Sequence, residues 1–127
     1  MSPDQQLKLR KRVSALCLRL PEAEAEMKNS HVSFRVRNKV FAYFLASHHG
    51  DGIYSVCCRL PSGQHEDLVE HDSRRFYLPA YIGPRGWVGI RLDVGKVDWS
   101  AVRGYIELSY CQAAPKTLVS GLTISGS

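Results

Sequence analysis

The sequence predicts an α+β domain: one antiparallel β-sheet with its helices packed on one face. Three observations predict it. Residues 33–58 read as strands with short connections, which make neighbouring strands antiparallel. Stretches 3–19 and 99–113 repeat apolar residues at helical spacing, so helices flank the strands. Between them, Pro79-Ala-Tyr-Ile-Gly-Pro-Arg-Gly-Trp-Val-Gly-Ile-Arg-Leu-Asp93 passes from a Gly/Pro loop into an alternating strand. Its Val88, Ile90 and Leu92 point one way, while Trp87, Gly89 and Arg91 point the other.

The first helix is expected over 3–19, with Pro3 in its first turn and Ser2 or Asp4 as cap. Leu9, Val13, Leu16, Cys17 and Leu20 form its apolar stripe, and Pro21 ends it. Residues 22–27 alternate glutamate with small or apolar residues, consistent with a short edge strand with a charged face. From Ser33 the period is two. Phe34, Val36 and Val40 are expected inward, and Arg35, Arg37 and Lys39 outward, around a tight hairpin with Asn38 at its tip. The return strand 40–46 is apolar on both faces and reads as central. His48-His-Gly-Asp-Gly52 is a loop, and 53–58 is the next strand. A second helix is expected over 64–71 with Ser62 as N-cap, followed by a short strand at 76–78. Asp98 caps a third helix over 99–113, whose inner face holds Val102, Tyr105, Ile106, Ser109 and Tyr110. Pro115 breaks it, and 116–122 can add one last turn.

The chain has 127 residues, enough for one domain over 1–122 with a real core; 123–127 is expected to fray. Its net charge of +5 permits an anionic partner without establishing one. The four cysteines, Cys17, Cys57, Cys58 and Cys111, show neither C-x-x-C spacing nor a zinc rhythm, and read as reduced buried thiols. There is no apolar signal segment, and no apolar run reaches the roughly 18 residues of a membrane span. A cytoplasmic location, no membrane association and a monomeric state are the expectation.

Several phrases together resemble one family. They are Leu18-Arg-Leu-Pro-Glu-Ala-Glu24, Ser33-Phe-Arg-Val-Arg-Asn-Lys-Val-Phe-Ala42, Ala80-Tyr-Ile-Gly-Pro-Arg-Gly-Trp-Val-Gly-Ile-Arg-Leu-Asp93 and Ala114-Pro-Lys116. Their order and spacing are similar to the MmcQ/YjbR family, small bacterial proteins that share a fold with CyaY, the bacterial frataxin. The resemblance spans about residues 10–120. It implies a CyaY-like fold, and the DNA-binding label that the family carries from a double-wing reading of its shape. It implies no catalytic residue. Frataxins bind iron through an acidic first helix; here that helix carries Lys8, Arg10, Lys11 and Arg12, with Asp4 as its sole carboxylate, which argues against iron.

Two binding readings follow. In the first, Arg35, Arg37, Lys39 and Arg91 form a cationic sheet face with Trp87, able to neutralise phosphates and stack a base, with DNA as partner. Charges there also keep sheet edges from pairing with other chains, so the same pattern fits a plain solvated face. In the second, the Tyr81–Trp87 loop holds a small molecule or anion, with Arg85 and Gly86 at a cradle of backbone N–H groups. His48, His49 and Asp51 invite a metal reading, but adjacent loop histidines diverge, so no metal or cofactor is expected. His31 reads as a structural hydrogen-bonder. With no G-x-S-x-G, P-loop or H-E-x-x-H, a non-enzymatic role is expected.

Overall fold

The computed structural model describes residues 1–47 and 50–122. Among these residues, six strands make one antiparallel sheet. In chain order they are β1 (Glu24–Lys28), β2 (His31–Val36), β3 (Lys39–Ala46), β4 (Tyr54–Arg59), β5 (Phe76–Tyr77) and β6 (Trp87–Arg91). Across the sheet the order is β1-β2-β3-β4-β6-β5. The helices are α1 (Pro3–Leu18), α2 (Gln64–His71), α3 (Trp99–Ala113) and the single turn α4 (Lys116–Val119). No helix among the described residues is long and apolar enough to cross a membrane.

The helix ends follow local chemistry. Ser2 caps α1 reciprocally with Gln5: the Ser2 hydroxyl accepts from Gln5 N, and the Gln5 amide oxygen accepts from Ser2 N. Asp98 caps α3 by accepting from Ala101 N. The expected cap of α2 is corrected. Gly63, not Ser62, is its N-cap, at φ 74 and with no side-chain bond.

One sheet face packs on the helices. Val32, Phe34, Val36, Ala42, Phe44, Val56, Cys58, Val88 and Ile90 point there, against Val13, Cys17, Leu20, Val102, Ile106 and Tyr110. Phe41 meets Tyr110 edge-on, with ring centroids 5.3 Å apart. Leu68 and Val69 of α2 close the same side.

The β2–β3 hairpin turns through Arg37 and Asn38, at φ 49 and 66, the pair of positive values that matches strand twist. Its pairing then slips by one residue. Phe34 faces Ala42 and Arg35 faces Val40, so Phe41 is the extra residue of a β-bulge. The bulge overturns part of the expected alternation. Val40 goes to the face away from the helices with Arg35, and Phe41 takes its place in the core. Ser109 of α3 stabilises the irregularity: its hydroxyl donates to the Phe41 carbonyl and accepts from Arg59 N at 2.8 Å.

Candidate functional site

Among the described residues, the second sheet face carries no α-helix. Alternation places Glu24, Glu26 and Lys28 of β1, His31, Ser33 and Arg35 of β2, and Tyr43 and Leu45 of β3 on it. Ser55, Cys57 and Arg59 of β4, Tyr77 of β5, and Trp87, Gly89 and Arg91 of β6 continue it. This is a mixed face, with two carboxylates of β1 beside the arginine of β2.

The segment between β5 and β6 folds back on itself. Gly83 N donates to Pro79 O at 2.9 Å, Arg85 N to Ile82 O at 3.0 Å and Gly86 N to Gly83 O at 3.1 Å. Gly83–Arg85 is a 3₁₀ turn, and Gly86 ends it at φ 98, where a side chain would be strained. Pro79 is buried while Tyr81 is 89% exposed.

Between this segment and the sheet lies a cleft of about 840 Å³. Its sheet side holds Glu26, Lys28, His31, Ser33, Arg35, Tyr43, Leu45 and Tyr77, and Pro79 to Ile82 form much of the opposite wall. The size and the mixture of aromatic walls with a few polar groups suit a small molecule. Arg35 contributes an Nη2 ion pair to Glu26 at 3.3 Å, but its Nε–H is buried with no partner among the described residues. His31 is pinned as a structural acceptor: Ala46 N donates to its Nδ1 at 3.1 Å.

Behind the cleft sits a packed polar cluster. The Tyr77 and Ser55 hydroxyls share a 2.7 Å hydrogen bond, with Cys57 Sγ 4.0 Å from the Tyr77 oxygen. The Tyr77 ring lies over Gly89; a Cβ at that position would stand 2.3 Å from two ring carbons. Burial holds the Tyr77 hydroxyl protonated well above its ordinary range and pushes the Cys57 thiol up to about 11. Cys57 is thus a neutral packing group, the reverse of an activated nucleophile.

The predicted cationic set divides. Arg35 lies on the cleft, whereas Arg37 occupies the hairpin tip and holds Glu22 through Nε at 2.6 Å and Nη2 at 2.8 Å. That contact keeps the Glu22 carboxyl below its ordinary value. Lys39 pairs with core-facing Val36 and does not share the Arg35 face. Arg91 does lie on the open face, but binds Asp93 through two 3.0 Å hydrogen bonds. Trp87, expected as a stacking surface, is 8% exposed and packs against Tyr43 at a centroid distance of 5.2 Å. The continuous basic face is therefore replaced by three separate arginine–carboxylate pairs and a buried indole.

The anion cradle at Arg85 and Gly86 is corrected as well. The N–H groups of Gly83, Arg85 and Gly86 all serve loop carbonyls, so none is left to hold an anion. Arg85 itself is exposed. The cleft opens instead at the other end of the segment, near Tyr81. Asp51 joins its wall, its Oδ1 accepting from Ile53 N at 2.8 Å. His48 and His49 lie outside the described residues. Among the described residues no group of three or more His, Cys, Asp or Glu is placed to hold a metal ion.

Sequence reasoning missed Tyr43, Leu45, Tyr77, Ser33 and Lys28 as cleft residues. The signal available for Tyr77 was Gly89: a strand glycine marks close approach by another group. It also missed Glu107, fully buried in α3 and bonded to Arg19, the C-cap of α1, and, at 3.0 Å, to Arg103.

A family model described as YjbR matches residues 18–112. No curated protein matches the chain. Among solved structures, the chain is similar to that of Deinococcus radiodurans protein DR2400, with domain DUF419. The TM-score is 0.67 at 16% identity, over 91% of this chain and 88% of that one. At that identity the likeness is one of fold.

Proposed function

We propose that this chain, which belongs to the YjbR family, is a binding module that holds a small ligand on the open sheet face, beneath the 79–82 segment. The observation that carries the reading is Arg35. It lines a cleft of about 840 Å³ with a buried Nε–H that has no partner among the described residues. An unsatisfied buried donor costs on the order of 1–3 kcal/mol. A ligand oxygen that accepts from it removes that cost, and the walls of Tyr43, Leu45, Tyr77 and Ile82 supply apolar contact. The Cys57 thiol behind the cleft is held neutral by burial and so offers no activated nucleophile.

The test is a thermal-shift screen of small anions and neutral aromatics against the full chain, with hits measured by calorimetry. A hit in the cleft loses affinity on Arg35→Met and on Leu45→Trp, which fills the floor. Hits indifferent to both substitutions would place binding elsewhere and end this reading.

DNA remains a second reading, favoured by one observation. Lys8, Lys11, Lys39, Arg74 and Arg85 are exposed and form no ion pair among the described residues, in a chain of net charge +5. Affinity from such groups would fall steeply with salt. In a mobility-shift titration at two salt concentrations, a Lys8/Lys11/Lys39 triple alanine variant should lose retention, while an Arg35/Arg37 double variant should lose little. Retention that is insensitive to salt counts against the DNA reading.

A further inference from the structure

We propose that Tyr81 is an aromatic clamp over the cleft, and that the ligand it selects is a flat, conjugated ring bearing an anionic group. This rests on the cleft being the binding site and adds the ligand's chemical class.

Tyr81 combines two unfavourable features. Its φ is 68, and Ile82 N donates to Ala80 O at 2.8 Å. Those two facts make a three-residue γ-turn centred on Tyr81 with positive φ, a rare and strained conformation for a residue with a side chain. The same residue leaves 89% of its surface in water at the mouth of the cleft. A tyrosine packed nowhere gains nothing in the free protein from the backbone that displays it. Strain of this kind persists where the surroundings over-determine it, and it gathers at ligand clamps. Here the surroundings are visible: Pro79 is buried on one side, and on the other the 3₁₀ turn at 83–85 fixes the chain.

The Tyr81 backbone already stands at the edge of the cleft, and the clamp is a rotation of its side chain over it. The ring would then face the wall formed by Tyr43, Leu45 and Tyr77. Aromatic rings gain most from flat partners in stacked or edge-on geometry. The anionic requirement comes from the same sheet side, where Arg35 keeps an Nε–H with no partner among the described residues and Lys28 adds charge. A carboxylate and a phosphate monoester share this chemistry.

Calorimetry on the full chain separates the claims. The probes are 2-naphthoate, decahydro-2-naphthoate, methyl 2-naphthoate and 2-naphthyl phosphate. The expected result is that 2-naphthoate binds at least tenfold more tightly than its saturated counterpart and than its ester. Tyr81→Ala should bring 2-naphthoate down to the saturated acid, while Tyr81→Phe keeps the planar preference. Arg35→Met should bring 2-naphthoate down to the ester, and the phosphate probe shows which anion is preferred. If planar and saturated acids bind alike, Tyr81→Ala changes neither and Leu45→Trp blocks both, the clamp is refuted while the cleft stands. If no probe binds but other compounds in the screen occupy the cleft, the proposed ligand class is refuted. If nothing binds in the cleft at all, the site reading falls with it.

Discussion

Replacing Gly89 with alanine places a methyl group inside the ring of Tyr77. The built Cβ stands 2.3 Å from Cε1 and Cζ and 2.8 Å from Cδ1, against the roughly 3.5–4.0 Å of ordinary carbon contact. The ring must therefore retreat by more than an ångström. Its hydroxyl then leaves the 2.7 Å bond to Ser55, whose own side chain is buried. Overpacking of this kind costs about 1–3 kcal/mol, and the lost hydrogen bond adds about 1 kcal/mol. Removing a strand glycine returns about 0.5–1 kcal/mol. The net is a destabilisation of about 2 kcal/mol, a fall in Tm on the order of 8 °C for a chain of this length. Urea unfolding followed by circular dichroism measures it. The Tyr77→Ala background supplies the control: with the ring gone, Gly89→Ala should become neutral or stabilising, a coupling larger than about 1 kcal/mol. A single substitution that costs less than about 0.5 kcal/mol, or costs the same in both backgrounds, refutes the claim that this glycine exists to seat the tyrosine.

Three further outcomes are expected. Ser109→Ala strips the bulged Phe41 carbonyl and Arg59 N–H of their shared partner and should cost about 3 kcal/mol in urea unfolding. Burial pushes the Asp93 carboxyl up, but hydrogen bonds and charge from Arg91 outweigh it and hold Asp93 below its ordinary 3.8. A depressed folded-state value gives stability that is present above pH 3.8 and lost as pH falls through the lower folded value. The stability gap between the native chain and Asp93→Asn should therefore narrow below pH 3.8 in acid titration of unfolding, and a gap unchanged by pH contradicts the pairing. Finally, burial pushes all four thiols up, but Cys17, Cys57 and Cys58 are buried whereas Cys111 is half-buried. A thiol reagent at pH 8 should label Cys111 alone in the folded protein, and Cys111→Ser should abolish that reaction.

What was legible in the sequence is what local chemistry decides. Asp98 and Pro115 bracket α3, and the structure keeps the helix at Trp99–Ala113. Arg37-Asn38 turns the hairpin because both residues sit at positive φ, a conformation asparagine tolerates. The stripe of α1 needs only 3.6-residue spacing, and Val13 and Cys17 are buried as it requires. The cap of α2 was missed although it too is local, because Ser62 and Gly63 both suit a helix start. The choice of Gly63 gives the chain a left-handed entry at φ 74, and this left no separate mark in the sequence.

The candidate site was less legible because contacts between distant residues decide it. Period two assigned Arg35, Arg37 and Lys39 to one face on the assumption of unbroken pairing. The extra residue at Phe41 breaks it, and nothing near Phe41 signals a bulge. Its partner, Ser109, lies 68 residues away. Each guanidinium then met a carboxylate that the one-dimensional pattern kept apart from it: Glu22 for Arg37 and Glu26 for Arg35. This bears directly on function. A cation already paired with a carboxylate releases fewer counterions on meeting phosphate, so it adds less to affinity for DNA than its formal charge suggests. The pairing at Arg35 is different in kind. It involves Nη2 alone and leaves the buried Nε–H without a partner among the described residues. One arginine, half neutralised and facing an aromatic cleft, is suited to a compact acceptor group rather than to a run of phosphates, and that contrast is why the open sheet face is read as a pocket.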